Sequence, residues 1–333
     1  MKSSFPEFAP IPANSGFAMD NYWIWCGSAV ADKEKGYHLY ASRWRKDYPM
    51  LEGYVLFSHI VHAYSENLTG PYTFVEKVLP AKEDPDAWDG KMTHNPTILQ
   101  WGGKYYLFYI GSTYSEDPTP SNEIIENRQM VNEVYAKISI GIAVSDSPAG
   151  PWKAEKDPIL VSTPGGWDEF VVTNPAPCIT PEGKVYLYYR TNAKDGCSIG
   201  CATADTPLGP YTKYPGPVHG INRVEDPFVW HDGEFFNMVA KDLTGNVTGE
   251  YHAGAHFVSR DGFHWEYVKK AWSRTVVFAD GSVKTLGSLE RPQIFFDKDG
   301  KMAALFAASA DGPGHFTKAD NTWNMVIPFQ EEK

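Results

Sequence analysis

Cysteine is scarce in this chain. Only four occur in 333 residues, at positions 26, 178, 197 and 201, and none has a second Cys or His pair at zinc-site spacing. Cys197 and Cys201 stand four apart in a run that reads as one strand. An extended backbone separates them by ~13 Å, beyond the reach of a disulfide. Buried free thiols, as in a reducing compartment, are the expectation. Basic residues are also in deficit, with 30 Lys and Arg against 41 Asp and Glu, a net charge of −11 and no basic run. That excludes a protein built to hold a phosphate backbone, so no nucleic-acid partner is expected. No apolar stretch approaches the length of a membrane span, so no membrane partner is expected either. The opening residues Met1 to Glu7 lack the apolar segment of a signal peptide, which points to a cytoplasmic location. Nothing in the composition speaks to oligomeric state.

What the chain has in quantity is aromatic residues, 14% of the total, and glycine and proline at regular places. A polar-to-proline step, an apolar strand, a Gly turn and a second strand recur in order. The copies begin at Gly27-Ser28, Asn95-Pro96, Asn174-Pro175, Asp226-Pro227 and Arg291-Pro292. A further strand ending in a Gly-Pro-aromatic turn follows as Gly70-Pro71-Tyr72, Gly150-Pro151-Trp152 and Gly209-Pro210-Tyr211, with a looser Gly262-Phe263-His264-Trp265. Glycine at these turns supplies the positive φ that short hairpin loops require. Ordered repeats of a few short strands predict radially repeated sheets. The fold class is therefore all-β, a five-bladed propeller of four-stranded antiparallel sheets. Blades are expected over about 20–80, 90–160, 170–218, 222–272 and 285–329, in one domain with an N-terminal extension of about 1–19. The stretch Ser115 to Tyr135 breaks the alternation and reads as a helical or loop excursion beside the pocket. The last strand, Thr322 to Phe329, is expected to return toward the first blade and close the ring.

In a propeller the innermost strands converge at one mouth. Asp20, His94, Asp168, Glu169, Glu225, Asp226, Glu290 and Arg291 all fall near the start of such strands. Charges at those positions are costly unless paired or functional. Several carboxylates in one cavity suit glycoside hydrolysis, which needs one acid, one ionised base or nucleophile, and a group that separates their pKa values. On an extended strand Glu225 and Asp226 face opposite sides, so only one of them should look into the channel.

The Asp-Pro and Glu-Arg-Pro strand openings and the Gly-Pro-aromatic turns resemble those of the five-bladed β-propeller glycoside hydrolases, the group holding families 32, 43, 68, 117 and 130. The resemblance covers most of the chain. It implies a catalytic Asp on the first inner strand, a pKa-setting Asp on another blade, and an acid, Glu or His, on a third. Carried onto this sequence, Asp20 is the nearest first-blade Asp, Asp226 the orienting Asp, and Glu225 or Glu290 the acid. The first blade departs from the pattern by showing Gly27-Ser28 where family 43 has Asp-Pro. Catalytic candidates are thus Asp20, Glu225, Asp226 and Glu290. Substrate contacts are expected from His94, Asn95, Asp168, Asn174, Lys241, Arg291 and Trp25. A carbohydrate is the expected partner. No cofactor is required, although a central divalent cation such as calcium, with His94 as a possible ligand, suits the mouth of the channel. An exo-acting glycosidase is the leading expectation. A phosphorylase on the same fold, or a propeller that binds carbohydrate without catalysis, are the alternatives.

Overall fold

The computed structural model describes residues 5–32, 35–80, 84, 87–114, 128–193, 196–312 and 314–330. Five antiparallel sheets follow one another along the chain, each built outward from its first strand. Blade one holds β1 (Tyr22–Ala31), β2 (Tyr37–Arg45), β3 (His59–Ser65) and β4 (Thr73–Leu79). Blade two holds β5 (Met92–Trp101), β6 (Lys104–Ser112), β7 (Ser139–Ser145) and β8 (Lys153–Ala154). Blade three follows with β9 (Thr173–Ile179), β10 (Val185–Ala193), β11 (Gly196–Ala204) and β12 (Thr212–Lys213). Blade four contains β13 (Val224–His231), β14 (Phe236–Asp242), β15 (Gly254–Ser259) and β16 (Glu266–Trp272). A hairpin of β17 (Thr275–Val277) and β18 (Val283–Thr285) leads to blade five, formed by β19 (Ser288–Phe296), β20 (Met302–Ala310) and β21 (Thr322–Pro328).

The expected five blades are present, at close to the expected boundaries. The ring closes differently from the expectation for its last strand. β21 pairs with β20 inside blade five, and the N-terminal stretch lies along its outer edge. Antiparallel bridges join Phe8 to Phe329 and Phe17 to Asn324, and the Ala9 amide donates to the Pro328 carbonyl at 2.8 Å. That arrangement covers a sheet edge that would otherwise be open. The apolar cores lie between successive blades and run around the ring. Tyr105 and Leu107 pack on Val30 and Tyr40, Leu187 on Ile140 and Ile142, and Met238 on Tyr188. Leu305 and Ile327 pack on Val239, and Val61 and Ala63 of blade one meet Phe306 and Val326 of blade five.

Among the described residues two α-helices interrupt this plan. α1 (Met50–Phe57) sits between β2 and β3, and α2 (Arg128–Tyr135) between β6 and β7. The second occupies the end of the excursion expected over 115–135; residues 115–127 lie outside the described residues. The first stands at the same place in blade one, between the second and third strands, and no break in the repeat marks it in the sequence, because the two strands it joins are themselves regular.

Candidate functional site

Each inner strand carries a bulge, and at its centre sits a non-glycine residue with positive φ. These residues are Cys26 (φ 56), Asn95 (φ 53), Asn174 (φ 54), Asp226 (φ 59) and Arg291 (φ 54). A glycine or proline follows every one of them. Asn and Asp tolerate this left-handed conformation; Cys and Arg adopt it at a cost that surrounding contacts must offset. Those contacts form a ring around the propeller axis. Cys26 Sγ donates to Asn95 Oδ1 at 2.6 Å, Asn95 Nδ2 to Asn174 Oδ1 at 2.6 Å, and Asn174 Nδ2 to Asp226 Oδ1 at 2.7 Å. Arg291 Nη1 donates to Asp226 Oδ1 at 3.3 Å, and the Arg291 charge acts on the Cys26 thiol, which brings the circuit back to blade one. Burial pushes that thiol up to about 12, so it remains neutral. Four members of the ring, Asn95, Asn174, Asp226 and Arg291, line the floor of a cavity of about 490 Å³.

The residue before each bulge residue looks up from this floor. On blades one to five these are Trp25, His94, Thr173, Glu225 and Glu290, and all five line the cavity. The bulge also corrects the expectation for blade four. Glu225 and Asp226 do not face opposite sides, because the positive φ at Asp226 swings both carboxylates toward one ammonium. Lys241, opposite Glu225 on β14, lies 2.9 Å from Glu225 Oε2 and 3.5 Å from Asp226 Oδ2, and it also binds Glu290 Oε2. Arg190 Nε stands 3.2 Å from the other oxygen of Glu225. Arg190 opposes Thr173 on β10 and thus holds in blade three the place that Lys241 holds in blade four. Three acids face three bases, so the buried cluster is close to neutral.

Burial alone would raise the Glu225 pKa, but the Lys241 and Arg190 charges outweigh it and hold the carboxyl at about 2. Asp226 moves the other way: burial raises it, and the adjacent Glu225 charge adds to this against Lys241 and Arg291. Burial would discharge Lys241, yet the three carboxylates keep its pKa well above the usual value. Asp226 also accepts from Asn174, from Arg291 Nη1 and, at 3.3 Å, from the Arg291 amide. Its oxygens are therefore committed to the ring. Glu290 differs, since Oε1 is buried with no hydrogen-bond partner. His94 is held neutral by burial and by the Arg291 charge, shares a 2.7 Å hydrogen bond with Ser58 Oγ, and stacks on Tyr54.

The cavity walls are aromatic. Trp25 meets Phe316 edge to face, Tyr54 comes from α1 and Tyr135 from α2, and Tyr251 stands at the rim. Tyr251 and His252 are carried by a loop that Asp242 organises. The Asp242 carboxylate accepts from the amides of Thr244, Gly245, Val247 and Thr248 at 2.8–3.1 Å, and its pKa is pulled down in consequence, against the effect of burial. The step Lys241-Asp242 thus divides: the lysine serves the cavity and the aspartate the loop.

Two candidates fall elsewhere. Asp20 is exposed in the turn before β1 and lines no part of the cavity. The first-blade position equivalent to Asp226 is Cys26, so blade one brings no carboxylate to the floor. Asp168 is buried outside the cavity, where it accepts from Lys213 Nζ at 2.6 Å, Tyr189 Oη at 2.9 Å and the Thr163 amide at 3.3 Å. The parallel Asp89 accepts from Tyr109 Oη at 2.7 Å, and Trp88 stacks on that tyrosine. Trp-Asp is a repeated clasp between a loop and the second strand of its blade. Glu225, Asp226, Glu290, His94, Asn95, Asn174, Lys241, Arg291 and Trp25 all line the cavity. Arg190, His252 and His315 also line it and were not singled out from sequence. Arg190 had a signal, a lone charge in the aromatic run Tyr188-Tyr189-Arg190 that aligns with Lys241. The histidines had none, because they sit in loops without repeat equivalents.

The three carboxylates do not fit a central calcium. They already share the Lys241 ammonium, which occupies the position such an ion would take.

The fold is the one shared by five-bladed propeller glycoside hydrolases. A family 117 glycoside hydrolase from the marine bacterium Zobellia galactanivorans superposes with a TM-score of 0.67 at 19% identity, over 98% of this chain and 90% of that one. A thermostable family-43 glycoside hydrolase gives 0.61 at 15% identity over 98% and 94%. An endo-arabinase from Bacteroides thetaiotaomicron gives 0.58 at 17% identity over 99% of each chain. No family model matches the sequence, and neither does any curated protein.

Proposed function

We propose that the protein is a glycoside hydrolase that removes terminal sugars, with the whole propeller serving as one catalytic domain. The observation that carries this reading is the convergence of Glu225 and Glu290 from neighbouring blades on one buried lysine, in an aromatic-walled cavity with a closed floor. A closed floor suits a chain end better than a chain interior. Glu225 is clamped by two cations and stays ionised, which suits a nucleophile. Glu290 is held by Lys241 through one oxygen only, and its unpartnered Oε1 is the atom free to take up a proton and pass it to a glycosidic oxygen. One carboxylate oxygen each of Glu225, Asp226 and Glu290 lies within 4.8 Å of the other two. Inverting enzymes hold their two carboxyls ~6.5–9.5 Å apart to admit a water, so this closeness supports retention. Asp226 and Arg291 position Glu225 from the floor.

A phosphorylase would need an uncommitted cation for phosphate. Lys241, Arg190 and Arg291 are each paired with an acid, which weighs against that alternative. The test is turnover of a panel of aryl glycosides and natural oligosaccharides, with and without inorganic phosphate, with the anomer of the first product read by NMR. Hydrolysis without phosphate and with retention is expected. Strict dependence on phosphate would favour the phosphorylase, and tight glycan binding without turnover would favour a non-catalytic propeller.

A further inference from the structure

Where the loop after β14 of blade four meets the loop after β20 of blade five, beside Glu290, stands a second cluster. A ring nitrogen of His252, a ring nitrogen of His315 and an oxygen of Glu290 lie within 4.8 Å of one another. His315 Nε2 is 3.6 Å from Glu290 Oε1, too far for a hydrogen bond. Glu290 is 3% exposed and His252 5% exposed, and both leave a polar atom, Oε1 and Nδ1, buried without a partner. Buried polar atoms in a folded protein are almost always satisfied. Two such atoms beside one cluster mark a place where a ligand is missing.

We propose that His252, His315 and Glu290 form a binding site for a divalent transition-metal cation. Two imidazoles and one carboxylate are the donor set of borderline cations such as zinc and cobalt, whereas calcium takes oxygen ligands. Metal–ligand bonds of ~2.0–2.2 Å require the three donors to draw in by small side-chain rotations, and the cavity leaves room on the open side for water. Both histidines are held neutral, the form that ligates: burial, then the Lys241 charge, puts His252 at about 3, and burial lowers His315. The shell is ordered. His252 stacks on Tyr251 at 3.7 Å, Phe316 packs on His315 at 3.7 Å, and Lys241 fixes the opposite oxygen of Glu290. The backbone is strained at both histidines, with φ 61 at His252 and φ 85 at His315, in a fold that uses glycine for most of its other left-handed turns.

Metal binding stands independently of the hydrolase reading, but the two meet at Glu290. A metal on Oε1 takes the oxygen that a proton donor needs, so the cation competes with substrate.

The test uses the full chain stripped with a chelator, then titrated with zinc chloride by calorimetry and with cobalt chloride by visible spectroscopy. One equivalent is expected, with d–d bands of a nitrogen and oxygen site and no thiolate charge-transfer band. His315→Gly removes a ligand while relieving the positive φ, so it should fold and should weaken binding about tenfold or more. His252→Ala should do the same, with circular dichroism and melting temperature checking the fold. The proposal is overturned by no binding of either metal at 100-fold excess over protein, by a thiolate band, or by unchanged affinity in a folded His315→Gly variant. Zinc affinity is read without substrate, so absence of glycosidase activity leaves this outcome interpretable.

Discussion

Two carboxylate–lysine pairs in this molecule, each with a buried carboxylate, look alike in sequence and differ in use. Asp168 and Lys213 form one, with Tyr189 and the Thr163 amide completing the coordination of the carboxylate. Glu290 and Lys241 form the other, where one carboxylate oxygen is left unpartnered above an open cavity. A structural acid has all its acceptor capacity filled by its own chain. A working acid keeps an oxygen for something that arrives. Charge at an inner-strand start is therefore not enough to assign a role, and the count of partners separates the two cases.

The comparison is broken most severely at the cavity pair. Glu225→Gln and Glu290→Gln are each expected to lower kcat by roughly 10²–10⁴-fold or more in a protein that still folds, as circular dichroism checks. Glu290→Gln should retain much of the rate on aryl glycosides whose leaving group needs no proton, and Glu225→Gln should not. Wild-type kcat in either variant would remove that residue from the chemistry.

Lys241→Met should be the most destabilising change at the site, by about 3–5 kcal/mol, because it leaves three carboxylates buried without their shared cation. Denaturant titration reads that loss. The same clamp has a pH consequence of definite sign. Glu225 has a folded pKa of about 2 against an ordinary 4.5. Its contribution to stability is present above pH 4.5 and is lost as pH falls through 2. Melting temperatures of the parent should fall over that window, and less steeply in Glu225→Gln. Equal slopes in the two proteins would show that the carboxyl is not depressed.

Asp168→Asn belongs to the other half of the comparison. It should lower stability by about 1–3 kcal/mol through the partly buried Lys213 it leaves unpaired, with kcat and KM unchanged. A large loss of kcat in a folded Asp168→Asn protein would return that residue to the site. Asp20→Asn should have the smallest effect, within about 0.5 kcal/mol of the parent and with parental activity, because the side chain is exposed and outside the cavity. A tenfold fall in kcat would restore the first-blade Asp as a catalytic group.

The sequence by itself determined the five blades, their boundaries and the charged character of the mouth. Strand period and Gly-Pro turns are local properties that repeat, and repetition makes them legible without knowledge of contacts. It also marked Glu225, Asp226, Glu290, Lys241 and Arg291, because charges inside apolar strands stand out against the pattern. It could not tell that Asp20 faces solvent or that Asp168 closes a clasp, since both depend on where a turn points. Nor could strand alternation foresee that Glu225 and Asp226 share one lysine. The tertiary structure decided that, through a left-handed residue held in each inner strand by a ring of hydrogen bonds between blades. The same cause kept His252 and His315 hidden: they meet Glu290 only because loops from two different blades reach over one mouth, and a loop has no period to betray it.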